Sequence, residues 1–177
     1  MKRDRRIALL DRDGTIIIDK IYLADPNGVE FAPTAIEGLK LLRDAGARFI
    51  LITNQSGLAR GLFSENALAA VHQRLREMLA DEGLALDAIY YCPHGPEDNC
   101  RCRKPAPGLV EDAMADFGFA PDEAVFIGDG EGDMGAAEAC GIKGFRIAPE
   151  AAPHFLAAAR RALDYFEARG EKERPCT

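Results

Sequence analysis

Asp11-Arg12-Asp13-Gly14-Thr15 follows directly on the apolar run Ile7-Ala8-Leu9-Leu10. Side chains alternate along an extended chain, so Asp11 and Asp13 point the same way at the end of a buried strand. Gly14 lets the backbone turn away from them. Carboxylates so placed can act as a nucleophile beside a general acid, with a metal ion to offset their charge. Asp-Gly is also ordinary turn chemistry, so the pair alone leaves both readings open.

Three further segments carry polar residues just past apolar runs. Arg48 to Thr53 runs into Asn54-Gln55-Ser56-Gly57, and Ala124 to Ile127 runs into Gly128-Asp129-Gly130-Glu131-Gly132-Asp133. Ala88-Ile89-Tyr90-Tyr91 runs into Cys92-x-His94-x₅-Cys100-x-Cys102, with Arg103-Lys104-Pro105 behind it. One histidine and three thiols suit a closed tetrahedral zinc site of structural type. Such clustering favours a metal over disulfides. Cys102 directly precedes Arg103 and Lys104, so anchoring it fixes where those cations point.

These segments alternate with helical periodicities. Thr34 is placed to cap a helix through Ala45, with Ile36, Leu39 and Leu42 inward. Ser64 caps a longer helix with Leu68, Val71, Leu75 and Leu79 on one side, and His72 reads as a surface residue of it. Pro107 opens a third helix, a short one ends at Gly141, Gly144 to Ile147 is a fifth strand, and a last helix spans about 152–169. Asp25-Pro26-Asn27-Gly28 is a turn, and Ile16-Ile17-Ile18 forms a small hairpin or flap. His154 shows no partner, Cys140 reads as a small core residue, Tyr90 and Tyr91 as half core, and Cys176 as a free thiol in a tail that frays from Gly170.

Five strand–helix alternations predict an α/β fold: a single Rossmann-like domain over residues 1–177, its core about 6–147, with a parallel sheet and helices on both faces. No segment is large enough for a separate cap domain. In a parallel sheet all four polar strand ends meet at one edge, and that convergence outweighs any single motif.

The 177 residues suffice for one core, and 47% hydrophobic with 29% charged residues is ordinary for a globular chain. A net charge of −7 argues against general nucleic-acid or anionic-membrane binding. Lys2, Arg3, Arg5 and Arg6 resemble the start of a signal peptide, but only four apolar residues follow before Asp11. The expectation is a cytoplasmic monomer.

Taken together, Asp-x-Asp-Gly-Thr, a strand-ending Thr53, Lys104 and Gly128-Asp129-x-x-x-Asp133 resemble the haloacid dehalogenase superfamily of phosphotransferases over about residues 6–147. Thr53 to Gly57, Cys92-Pro93-His94 and Cys100 to Pro105 are similar to its zinc-containing branch, that of the heptose bisphosphate phosphatases and histidinol-phosphatase domains. The resemblance implies a Mg²⁺-dependent phosphomonoesterase acting on a small phosphorylated sugar or alcohol. Asp11 is then nucleophile and metal ligand, and Asp13 ligates through its carbonyl while its side chain is acid and then base. Asp129 supplies another carboxylate, with Asp133 one step behind the ion. Thr53 and Lys104 hold the phosphoryl group, and Asn54, Gln55, Ser56, Arg103, Asp19 and Tyr22 contact substrate. The resemblance favours the 7-phosphate of D-glycero-D-manno-heptose 1,7-bisphosphate, with histidinol phosphate as alternative and a non-catalytic phosphosugar sensor as the reading of another class. Close relatives carry a basic residue after the Asp129 position, where this chain has Gly130.

Overall fold

The computed structural model describes residues 5–147 and 154–172. The apolar runs form strands β1 (Arg6–Leu10), β2 (Ala47–Asn54), β3 (Ala88–Cys92), β4 (Ala124–Gly128) and β5 (Lys143–Arg146). The amphipathic runs form helices α1 (Ala35–Asp44), α2 (Glu65–Asp81), α3 (Gly108–Phe117), α4 (Glu131–Ala139) and α5 (His154–Lys172). Every strand pair is parallel, in the order β3-β2-β1-β4-β5.

The central strands are apolar on both faces because both faces are covered. Ala8, Leu10, Phe49, Leu51, Val125 and Ile127 pack with Leu39 and Leu42 of α1, Val71 and Leu75 of α2, and Phe155 of α5. Their alternates Ile7, Leu9, Ile50, Ile52, Ala124 and Phe126 pack with Val110 and Ala113 of α3 and Ala136 of α4. The chain runs outward from β1 to β3 and then returns across the sheet to β4. That reversal opens a crevice between the carboxyl ends of β1 and β4, where such sheets bind ligands.

Helix ends follow local chemistry with one difference. Ser64 Oγ accepts from the Ala67 amide at 3.2 Å, as its type and place predict. Thr34 precedes α1 but has a φ of 61° and makes no side-chain cap there. Its hydroxyl instead accepts from the Leu156 amide at 3.1 Å and so caps the first turn of α5. Glycine at position 38 allows this docking, since a Cβ there would lie 2.5 Å from the Phe155 ring.

Ile16-Ile17-Ile18 forms the expected small hairpin, bridged antiparallel at Ile17 to Phe31. Ile16 and Ile17 are fully buried, the Ile18 amide donates to Glu30 O at 2.9 Å, and Ala32 donates to Ile16 O at 3.0 Å. Among the described residues, no inserted segment builds a cap domain. Helix α5 continues through Gly170 to Lys172, past the expected onset of fraying. Lys2, Arg3, Cys176 and the start of the last helix at 152 lie outside the described residues. No described helix is long and apolar enough to cross a membrane.

Candidate active site

The register of the sheet sets the site. Leu10 pairs with Leu51 on one side and Ile127 on the other, so Asp11, Thr53 and Asp129 emerge together. The Asp11 amide donates to Ile127 O at 3.0 Å, which fixes the carboxylate at the mouth of the crevice. A cavity of about 190 Å³ opens there, lined by Asp11, Asp13, Thr53, Asn54, Lys104 and Asp133 among others.

Lys104 comes from the loop after β3 and is only 6% exposed. Its Nζ donates to Asp11 Oδ1 and to Ile52 O, each at 2.6 Å, and pairs with Asp133 Oδ1 at 2.6 Å. Three ammonium protons thus meet three acceptors, and the Phe126 ring lies 5.5 Å away. Against the cost of burial, Asp11 and Asp133 hold Lys104 above the ordinary lysine value. Asn54 grips the backbone of the same residue twice, its Nδ2 donating to Lys104 O at 3.1 Å and its Oδ1 accepting from Lys104 N at 3.0 Å.

Carboxylate oxygens of Asp11, Asp129 and Asp133 lie within 4.8 Å of one another. Burial pushes Asp11 up to about 7, with Asp133 and Asp13 adding to the effect and Lys104 opposing it. Asp129 is raised too, by burial and then by Asp133. One lysine among three carboxylates leaves an uncompensated negative site of hard oxygen donors, which fits a small divalent cation. Asp133 spends one oxygen on Lys104 and the other on the Gly130 amide at 2.9 Å, so it braces the site from behind. Gly14 has a φ of 76°, and a Cβ there would lie 2.3 Å from Asp129 Oδ2, so only glycine lets this carboxylate approach.

Asp13 is held from the opposite side. Arg12 Nε and Nη2 donate to its two oxygens at 3.0 and 3.1 Å, and Gln55 Nε2 donates to Oδ2 at 3.0 Å. Gln55 also donates to Thr53 Oγ1 at 2.9 Å and accepts from Arg12 Nη2 at 3.1 Å. Gln55, expected against substrate, is buried and bonds to Arg12, Asp13 and Thr53, while it also lines the second cavity described below. Arg12 is 1% exposed, and its Nη1 lies 3.1 Å from His72 Nε2. His72 is therefore no surface residue: it is 8% exposed, and burial, then Arg12 and Arg76, lower it to about 3. The signal was present, since 72 follows Leu68 by four and precedes Leu75 by three on the buried stripe of α2.

The Cys/His loop begins where β3 ends, with Cys92 paired to Asn54 in the sheet. Cys92 Sγ lies 3.6 Å from Cys100 Sγ and 3.2 Å from Cys102 Sγ, and Cys100 lies 3.4 Å from Cys102. His94 Nδ1 is 3.2 Å from Cys102 and 3.6 Å from Cys92. Tetrahedral sulfur ligands about 2.3 Å from an ion lie roughly 3.8 Å apart, so these four donors already sit as a slightly contracted metal cage. Arg103 Nη1 donates to His94 O at 3.2 Å, tying it to the loop.

Asp19, Tyr22, Asn54 and Ser56 line a second cavity of about 190 Å³ that shares Asp13 and Asn54 with the first. Its rim carries the exposed Ile21 and Tyr22, both at positive φ, with Asp19 Oδ1 accepting from the Ile21 amide at 2.9 Å. His154 is not the partnerless residue that its sequence suggests, and it lines a cavity beside Asp129. Near Gly130, Arg146 Nε donates to Asp129 O at 2.9 Å and its Nη1 pairs with Glu131. Cys140 is partly buried against the α3–α4 core, and Tyr90 and Tyr91 are half-buried as expected.

Comparisons with known proteins agree with this geometry. Residues 22–141 match the family model of the haloacid dehalogenase-like hydrolases. A D-glycero-beta-D-manno-heptose-1,7-bisphosphate 7-phosphatase of Pseudomonas aeruginosa is 41% identical over 136 residues, 76% of each chain. A D-glycero-alpha-D-manno-heptose-1,7-bisphosphate 7-phosphatase of Photorhabdus laumondii is 36% identical over 144 residues, 77% of this chain and 79% of that one. The crystal structure of D,D-heptose 1,7-bisphosphate phosphatase from B. bronchiseptica, complexed with magnesium and phosphate, superposes with a TM-score of 0.81 at 32% identity, covering 90% of this chain and 98% of that one. With its sheet, its motif order and these relatives in agreement, the chain belongs to the haloacid dehalogenase-like hydrolases.

Proposed function

We propose that the chain is a Mg²⁺-dependent phosphomonoester hydrolase that works through an aspartyl-phosphate on Asp11 and removes the 7-phosphate of D-glycero-D-manno-heptose 1,7-bisphosphate. The observation that carries the chemistry is the Asp11–Lys104–Asp133 cluster with Asp129 beside it. Asp11, the Asp13 carbonyl and Asp129 would hold Mg²⁺, which supplies a Lewis acid that screens the repulsion between phosphate and carboxylate.

Asp11 attacks phosphorus, and the bond from phosphorus to the leaving oxygen breaks. Lys104 keeps Asp11 aimed and offsets charge on the phosphoryl group, and the Thr53 hydroxyl and the backbone N–H of Asn54 donate to its oxygens. Asp13 delivers a proton to the leaving sugar oxygen. It then takes a proton from the water that splits the aspartyl-phosphate, which restores Asp11 and releases phosphate.

The Cys92–His94–Cys100–Cys102 cage would hold a structural Zn²⁺. Four protein donors leave no open position for water, and the loop positions Arg103 and Lys104. Arg103, Asp19, Tyr22 and Ser56 serve the far end of the substrate, where a guanidinium suits a second phosphate. The open rim and the names of the relatives support a sugar bisphosphate.

Phosphate release with Mg²⁺ from both heptose 1,7-bisphosphate anomers, histidinol phosphate and fructose 1,6-bisphosphate tests the assignment. Preference for a heptose anomer supports it and names the anomer. Preference for histidinol phosphate overturns the substrate but keeps the chemistry.

A further inference from the structure

Arg12 stands between the two aspartates in sequence, just past the end of β1, and its guanidinium sits at the base of the second cavity beside Asp13 and Gln55. There it is buried, and a buried guanidinium needs every donor met. Nε and Nη2 serve Asp13, Nη2 also serves Gln55, and Nη1 faces His72 Nε2 at 3.1 Å. Arg12 has no acceptor atom, so His72 Nε2 must accept and its proton must sit on Nδ1. The imidazole is held in turn by α2, packed beside Leu68 and Leu75 and tilted against Tyr91 with ring centroids 6.0 Å apart. Rigid helix, neutral imidazole, guanidinium fork and carboxylate thus form one chain of contacts.

We propose that His72 is a positioning residue for Asp13: by accepting from Arg12 it locks the guanidinium whose fork, with Gln55, sets the Asp13 carboxylate beside Asp11. The inference rests on the acid–base role of Asp13 given above. Without the accepting nitrogen, Nη1 is left unpaired in the core and the fork rotates to find another partner. Asp13 then loses its fixed orientation, while Asp11, Lys104 and Asp133 keep theirs.

The test uses a difference between leaving groups. A sugar phosphate needs a proton on its leaving oxygen, whereas 4-nitrophenolate leaves unaided. Both substrates need the base in the second step. The Mg²⁺-loaded enzyme is compared with His72→Leu and with His72→Gln, whose amide oxygen can accept the same bond. For His72→Leu the expectation is a roughly 10- to 100-fold fall in kcat on the sugar phosphate with KM unchanged. On 4-nitrophenyl phosphate the same variant gives a burst of about one equivalent of nitrophenolate before a slow steady state, because dephosphorylation has become limiting. His72→Gln stays within about threefold of the parent.

The inference is overturned if His72→Leu keeps its sugar-phosphate kcat. It is also overturned if burst and steady state fall together, as general loosening of the site would make them do, or if His72→Gln loses as much as His72→Leu. Asp13→Asn separates the two levels. If it retains sugar-phosphate turnover, the acid–base reading itself fails. If it is inactive while His72→Leu is normal, only the positioning role fails.

Discussion

Acid titration of stability isolates the energetic cost of keeping His72 neutral. In the unfolded chain His72 takes up a proton near 6.5, but in the folded protein it resists until about 3, because burial, Arg12 and Arg76 disfavour the cation. Above pH 7 both states are neutral and His72 has no effect. As pH falls below 6.5 the unfolded state gains a proton that the native state refuses, so stability is lost progressively down to pH 3. At about 1.36 kcal/mol per pKa unit, roughly 2 kcal/mol is lost by pH 5. The side chain is only 8% exposed, so solvent screening removes little of this. Other groups titrate in the same range, and Asp11, raised by burial, acts with the opposite sign. The His72→Gln variant cancels them, because it keeps those groups and removes only the imidazole. Urea unfolding of parent and variant, both in Mg²⁺, at pH 7, 6 and 5 should therefore show the stability difference moving by about 2 kcal/mol in favour of the variant. A difference that stays constant across that range means His72 titrates as in open solvent and refutes the buried Arg12–His72 contact.

Three further outcomes follow from the site. Gly14→Ala places a Cβ 2.3 Å from Asp129 Oδ2 at a φ of 76°, so Asp129 must move; Mg²⁺ titration of activity should show at least a roughly tenfold weaker affinity. Mg²⁺ affinity should weaken as pH falls through about 7, since burial raises Asp11 to that value and a bound cation requires the carboxylate; calorimetry below pH 7 should show about tenfold loss per unit. Cys102→Ser should lower zinc content and sugar-phosphate turnover together, because Cys102 anchors the loop from which Lys104 reaches Asp11; elemental analysis beside kcat decides it.

Much of this site was legible in the order of residues because parallel sheets convert sequence order into position. Each apolar run becomes a strand, and whatever follows it lands at the carboxyl edge, so Asp11, Thr53, Lys104 and Asp129 converge before any contact is known. The Cys/His spacing carried its meaning for a similar reason, as four donors on one short loop have few ways to meet. The Arg12–His72 contact was hidden because it joins residues 60 positions apart whose types usually face water. The Leu68–Leu75 stripe would have placed His72 in the core, whereas Arg12 lies in the turn after β1, where no periodicity says which way a side chain goes. Each needed the other to supply a partner. Thr34 failed for a related reason: its hydroxyl type suits an N-cap, but the helix that it caps is α5, set by tertiary packing rather than by the local chain.

Covalent capture on Asp11 tests the central claim most directly. The Asp13→Asn variant lacks the base for the second step yet needs no acid to release 4-nitrophenolate, so the phosphoryl-enzyme should accumulate. Acid quenching of this variant with Mg²⁺ and phosphorus-labelled 4-nitrophenyl phosphate, then peptide mapping, should place the label on Asp11, with none retained when Asp11 is also changed to Asn. Turnover of the ester with no label on the protein, or label on another residue, would contradict the account.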